Sequence, residues 1–159
     1  MLFKLIYNEF YLESKSSYNL FYMSFFAISC LMFLLFTFPL SKINDIIIFN
    51  GFLWIIVALS SIKLIENSFA RERDFSVYDL IYSSSIDLSL VFLSKLFTLN
   101  MILAGVQLIL LFIYILFTGL SFGIVFNLIP LCVLANFGLI GFGILIFLLT
   151  NTSTSKSFL

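Results

Sequence analysis

The chain has 159 residues, 62% of them hydrophobic and 10% charged, where a soluble domain has roughly half and a quarter. A soluble fold of this size could not hide so much apolar surface, which excludes an ordinary water-soluble enzyme and predicts an all-α integral membrane protein with about four transmembrane helices. Eight basic residues balance eight acidic ones, so there is no basic surface for nucleic acid, and the lack of His removes the commonest metal ligand and general base.

At the N-terminus Leu2, Phe3, Ile6, Tyr7 and Phe10 can share one helical face, while Lys4, Asn8, Glu9 and Glu13 are polar. This pattern predicts an amphipathic helix lying on the membrane surface. Glu9, Glu13 and Lys15 interrupt any signal-peptide core, and the first apolar run ends in Thr37-Phe38-Pro39, not in a small-residue cleavage site. That run is therefore expected to remain as a span. No charge occurs from Ser16 to Ser41, which places the first span at about residues 20–40. Ile46 to Ile62 is also uncharged. Asn44 or Asp45 suits the start of a second span at about 46–68, with Lys63 snorkelling to the interface.

The charged stretch from Lys63 to Lys95 follows. Arg71-Glu72-Arg73-Asp74 stands at its head, and Tyr78, Asp79, Leu80 and Tyr82 come next. A segment at about 69–87 is expected outside the membrane, either as a solvated loop tip or as a docking site for a soluble partner. Ser84 and Asp87 match a capping box, so a helix should begin there and run into the third span. From Leu96 to Ser155 no charge appears. The run has room for a third span at about 96–118 and a fourth at about 127–150, separated by a turn at Gly119-Leu120-Ser121-Phe122-Gly123. Lys4, Lys15, Lys63, Arg71, Arg73 and Lys95 fall on one side and only Lys42 on the other. Both termini and the charged segment are thus expected in the cytoplasm or its equivalent.

Chemical motifs are scarce. There is no phosphate-binding loop, no HExxH, no Ser nucleophile elbow, and no Asp or Glu at membrane depth to carry protons. Cys30 and Cys132 lie singly in apolar runs and read as small apolar side chains. Asn100 and Gln107 are seven residues apart on one face of the third span, with Ala104 between them. Such a stripe either bonds to a neighbouring helix or lines a substrate path. Ala135, Gly138 and Gly141 suit close packing of the fourth span, and Asn136 beside them is open to either reading.

The middle of the chain carries a resemblance. Asn50-Gly51-Phe52-Leu53-Trp54, Ser60-Ser61, Phe69, Glu72, Asp74, Tyr78, Asp79, Leu80, Ser84 and Lys95 resemble the haem exporter protein B (CcmB) family, over about Leu20 to Leu159. Ser76 stands where that family usually has Gly, and Ser85 where it has Pro. The resemblance implies an ABC exporter permease-like chain that lacks the family's last two spans. It implies a non-catalytic subunit that binds no cofactor itself and couples ATP hydrolysis by a CcmA-type ATPase to haem handling. CcmC, CcmD and the CcmE-type haem chaperone would be further partners. Arg71, Glu72, Arg73, Asp74, Tyr78, Asp79, Leu80 and Tyr82 would dock the ATPase. The expected location is a bacterial inner membrane, with a mitochondrial inner membrane as the alternative. A general ABC exporter permease for a lipid, drug or polysaccharide is the rival reading, and a structural membrane subunit without a transport path is the third.

Overall fold

The computed structural model describes residues 2–15, 17–37, 43–74, 87–118 and 122–155, and all of these except Asp87 are helical. They form α1 (Leu2–Lys15), α2 (Ser17–Thr37), α3 (Ile43–Asp74), α4 (Leu88–Thr118) and α5 (Phe122–Ser155). Helices α2 to α5 are long and apolar enough to cross a membrane, over Leu20–Thr37, Gly51–Ala70, Ser89–Phe117 and Ile129–Leu149. The architecture is that of a multi-pass membrane protein. In hydrocarbon no water can pair with a bare N–H or C=O, and a helix satisfies both internally. Hydroxyls at this depth are met the same way: Ser24 donates to the Leu20 carbonyl, Ser60 to Ile56 and Ser61 to Ala58.

The connections at 38–42 and 119–121 are too short to cross the length of a helix, so α2/α3 and α4/α5 are antiparallel pairs. Helices α3 and α5 run parallel, since Ile65 meets Gly143 and, one turn on, Phe69 meets Phe147. Half of the apolar stretch of α3 and of α4 is buried, against less than a quarter in α2 and α5. The core therefore runs along α3 and α4, through Leu53, Val57, Leu64, Leu99, Leu103 and Leu110, and α2 and α5 supply Leu31, Ile140 and Ile144 from the flanks.

Several expectations are corrected here. Helix α3 continues to Asp74, so Arg71, Glu72, Arg73 and Asp74 lie in its last turns and not in a loop; Phe69, expected in the external segment, is a core residue. A helix once nucleated adds each further residue with one more hydrogen bond, and Ala70 to Asp74 contain no Gly or Pro to stop it. Tyr78, Asp79, Leu80 and Tyr82 lie outside the described residues. Helix α4 starts at Leu88, with the Asp87 carbonyl accepting from the N–H groups of Leu90 (3.0 Å) and Val91 (3.4 Å). Asp87 thus precedes the helix, as a favoured N-cap residue does, and is not the inner partner of a box opened by Ser84. Helix α5 starts at Phe122, so Gly123 is helical, and Pro130 lies inside the helix, where membrane helices tolerate it.

Helix α1 exists as expected, and Lys4 and Asn8 on its polar side are exposed, but Glu13 is not. The helix packs across the start of α4, and Glu13 is only 4% exposed. Ser94, Lys95 and Thr98 are buried near the start of α4, and Thr98 approaches the Ile6 carbonyl of α1. Phe3, Tyr7 and Phe10, spaced four and three apart, are exposed on α1. They present an aromatic strip of the kind that settles at a membrane surface.

Side-specific labelling checks the orientation. In a chain with Cys30→Ser and Cys132→Ser, Ser41→Cys is expected to react with an impermeant thiol reagent from outside and Ser76→Cys only from the cytoplasmic side. The reverse pattern would invert the topology.

Candidate functional site

Polar side chains are buried at two depths of the bundle. The first group sits at the charged end, where α3 finishes and α4 begins. Lys95 is 4% exposed, although its side chain is among the longest and best hydrated in proteins. Burying an ammonium is costly unless its charge is compensated. Here Nζ lies 4.0 Å from the centre of the Phe69 ring, whose negative face attracts a cation. Phe69 is stacked on Phe147 of α5, with ring centres 4.3 Å apart and planes inclined at 23°. One residue from each of α3, α4 and α5 thus forms a single column. Thr98, one turn beyond Ser94, donates to the Ser94 carbonyl at 2.9 Å and lies 3.5 Å from the Ile6 carbonyl of α1. Ser68 is buried beside Phe69, and its hydroxyl has no hydrogen-bond partner among the described residues.

The second group lies about 18 Å along α4 from Lys95, at the rise of a regular helix. Asn136 of α5 is 0% exposed, and its Nδ2 donates to Oε1 of Gln107 at 2.6 Å. Both amides are buried, and in an apolar medium each is the other's natural partner. The Gln107 Nε2 and the Asn136 Oδ1 have no partner among the described residues. A cavity of about 60 Å³ adjoins them, lined in part by Ala104, Leu111, Cys132 and Val133. Asn100, two turns nearer the charged end, is also buried. The α4 stripe of Asn100, Ala104 and Gln107 therefore faces the interior. Such a cavity has room for a few waters, each needing about 10–15 Å³ of such space.

The small residues of α5 divide. A Cβ added at Gly138 would meet nothing, and Gly138 lies on the exposed side; at Gly141 it would touch Leu96 at an ordinary 3.7 Å. The close approach is at Gly143, where a Cβ would collide with Cδ1 of Ile65. The sequence pattern predicts close packing at Ala135, Gly138 and Gly141; of the glycines, Gly141 meets α4 through Leu96 and Gly138 meets nothing, while Gly143 and Phe147 meet α3. Sequence reasoning missed Gly143, the burial of Lys95 and that of Glu13. For Lys95 a signal existed: Ser94, Lys95 and Thr98 lie within about one turn, so a polar patch continues into the helix. Arg71 to Asp74 are placed only as the end of α3, directly after Ser68 and Phe69 of the first group and far along the helix from the level of the second.

Cys30 and Cys132 are free thiols on different helices. Among the described residues no group of three or more His, Cys, Asp or Glu could hold a metal ion. The chain matches no protein-family model, no curated protein and no solved structure.

Proposed function

We propose that this chain is a non-catalytic membrane subunit of an ABC-type complex, working in cytochrome c maturation with a separate ATPase. ATP would be hydrolysed at the partner, and haem, or the haem-loaded chaperone, would be handled by the complex. The observation that carries the reading is helix length. Helices α3 and α4 have 32 and 31 residues, so each extends to about 46–48 Å at 1.5 Å per residue, against a hydrocarbon core of about 30 Å. Both overhang at the charged end, and they bracket the segment that carries Tyr78, Leu80 and Tyr82. A segment held between two continuous helices can pass a rigid-body push into the membrane, as coupling to a soluble motor requires. The resemblance in residues 50–95 supplies the identity of that motor, a CcmA-type ATPase, with CcmC, CcmD and CcmE as its company. The membrane would be a bacterial inner membrane, or a mitochondrial inner membrane where that machinery is kept.

Co-purification with the ATPase tests the proposal. Tyr78→Ala or Leu80→Ala should lower the recovered ATPase about tenfold or more, because a buried apolar anchor at an interface is worth about 2 kcal/mol. Arg73→Ala should change it less than about fivefold, since rim charges contribute under about 1 kcal/mol. Undiminished ATPase in both apolar variants, each shown to insert, would refute the docking assignment. Recovery of an unrelated ATPase would replace the cytochrome c reading with the general exporter.

A further inference from the structure

A groove of about 560 Å³ opens between α2 and α3 on the outside of the bundle. Its volume falls in the range of about 300–1,000 Å³ typical of small-molecule sites. The walls change character along its length. Phe26 and Leu59 form one end, and Ile62 lies between; Tyr22, Lys63 and Asn67 form the other. Because α2 and α3 are antiparallel, Tyr22 near the start of α2 lies level with the charged end of α3. The groove thus has an apolar trough and a polar mouth holding a phenol, an ammonium and an amide.

Lys63 cannot lie deep in hydrocarbon with its side chain 61% exposed, so its level marks the membrane interface. Helix length agrees: from Lys63 back to Ile46 is about 26 Å of helix, close to the hydrocarbon thickness. The trough therefore lies at the depth of acyl chains and the mouth at the depth of headgroups, in the leaflet on the charged side. Lys63 pairs with Glu66, its Nζ 3.1 Å from Oε2 and Glu66 equally exposed at 59%. Glu66 does not line the groove, whereas Lys63 and Asn67 do. An exposed pair of this type costs little to open.

We propose that this groove binds one anionic glycerophospholipid of the leaflet on the charged side. An acyl chain fills the trough along Phe26, Leu59 and Ile62, and the phosphate sits at Lys63 with Asn67 and Tyr22 as hydrogen-bond donors. Charge complementarity argues for an anionic headgroup: the mouth offers a cation and neutral donors, and Glu66, the partner of Lys63, does not line it. An aromatic residue with a polar tip and a snorkelling Lys at the same level form the usual interfacial pair. Nothing in this assignment depends on the partner ATPase, so it can fail or hold independently of the proposed function.

The test uses the full chain, purified and stripped of lipid, titrated with dioleoyl phosphatidylglycerol or dioleoyl phosphatidylcholine and read by native mass spectrometry. A single phosphatidylglycerol should be retained about fivefold more tightly than phosphatidylcholine, the effect of one Lys near an anionic group. Lys63→Gln should remove that preference, lowering retention of phosphatidylglycerol more than that of phosphatidylcholine. Leu59→Trp and, independently, Ile62→Trp should fill the trough and abolish retention of both lipids, with helix content unchanged by circular dichroism. Undiminished phosphatidylglycerol binding in Lys63→Gln, or in both Trp variants, would overturn the proposal. So would a photo-crosslinker at Ile62 in native membranes that labels a polypeptide, a second copy of this chain included, where a phospholipid adduct is expected.

Discussion

Phe69→Ala is expected to lower the stability of the bundle by about 3 kcal/mol, the lower end for removing a buried Phe. The lower end applies because detergent or lipid around the unfolded helices is as apolar as the core, so little of the transfer term remains. What is lost is packing. Phe69 is 3% exposed, its ring is stacked on Phe147, and its face carries the Lys95 ammonium. Ring stacking contributes about 0.5–1.5 kcal/mol and a desolvated cation on a ring about 2 kcal/mol. Phe69→Tyr keeps the ring and should cost less than Phe69→Ala. Phe69→Leu keeps most of the volume but not the ring, and should fall between them. The measurement is reversible unfolding in mixed micelles. A loss below about 1 kcal/mol for the Ala variant, less than deletion of one well-packed core side chain, would mean that the column through α3, α4 and α5 does not form.

Gly143→Leu should cost at least about 1–3 kcal/mol, the range for overpacking a closed interior. A Cβ at Gly143 already collides with Cδ1 of Ile65, and Cγ1 of Ile65 would be 3.9 Å away. The atom in the way ends a flexible side chain, so a single methyl can be accommodated by rotating Ile65. Gly143→Ala should therefore be near neutral, because Ala in a helix gains about 1 kcal/mol over Gly and offsets the crowding. Leu cannot be accommodated that way, and α3 and α5 must part. Ile65→Val combined with Gly143→Ala should be more stable than the sum of the two single changes, as expected for side chains in contact. Gly138→Ala is the control. A Cβ there meets nothing, so this change should be neutral or stabilising by up to about 1 kcal/mol. Equal effects of Leu at Gly138 and Gly143 in the same unfolding experiment would show that α5 presents a different face to α3.

The number of spans and their order are legible in the amino-acid sequence alone. A hydrocarbon core of about 30 Å demands about twenty uncharged residues per crossing, and the sequence contains such runs with charges or a glycine-bounded turn between them. The α4 stripe of Asn100, Ala104 and Gln107 is legible too, because polar side chains in an otherwise apolar helix stand out at helical spacing. The amphipathic pattern of α1 is legible for the same reason, though its Glu13 is buried. Only the tertiary structure decided which faces of α3, α4 and α5 meet. It paired Asn136 with Gln107, set Lys95 over Phe69, and put the close helix approach at Gly143, with Gly138 left open. A water-soluble helix announces its inner face by being apolar there and polar elsewhere. In a bilayer the lipid-facing side is as apolar as the core, so these helices are hydrophobic all round and their orientation is set by shape and by the few polar groups that must find one another.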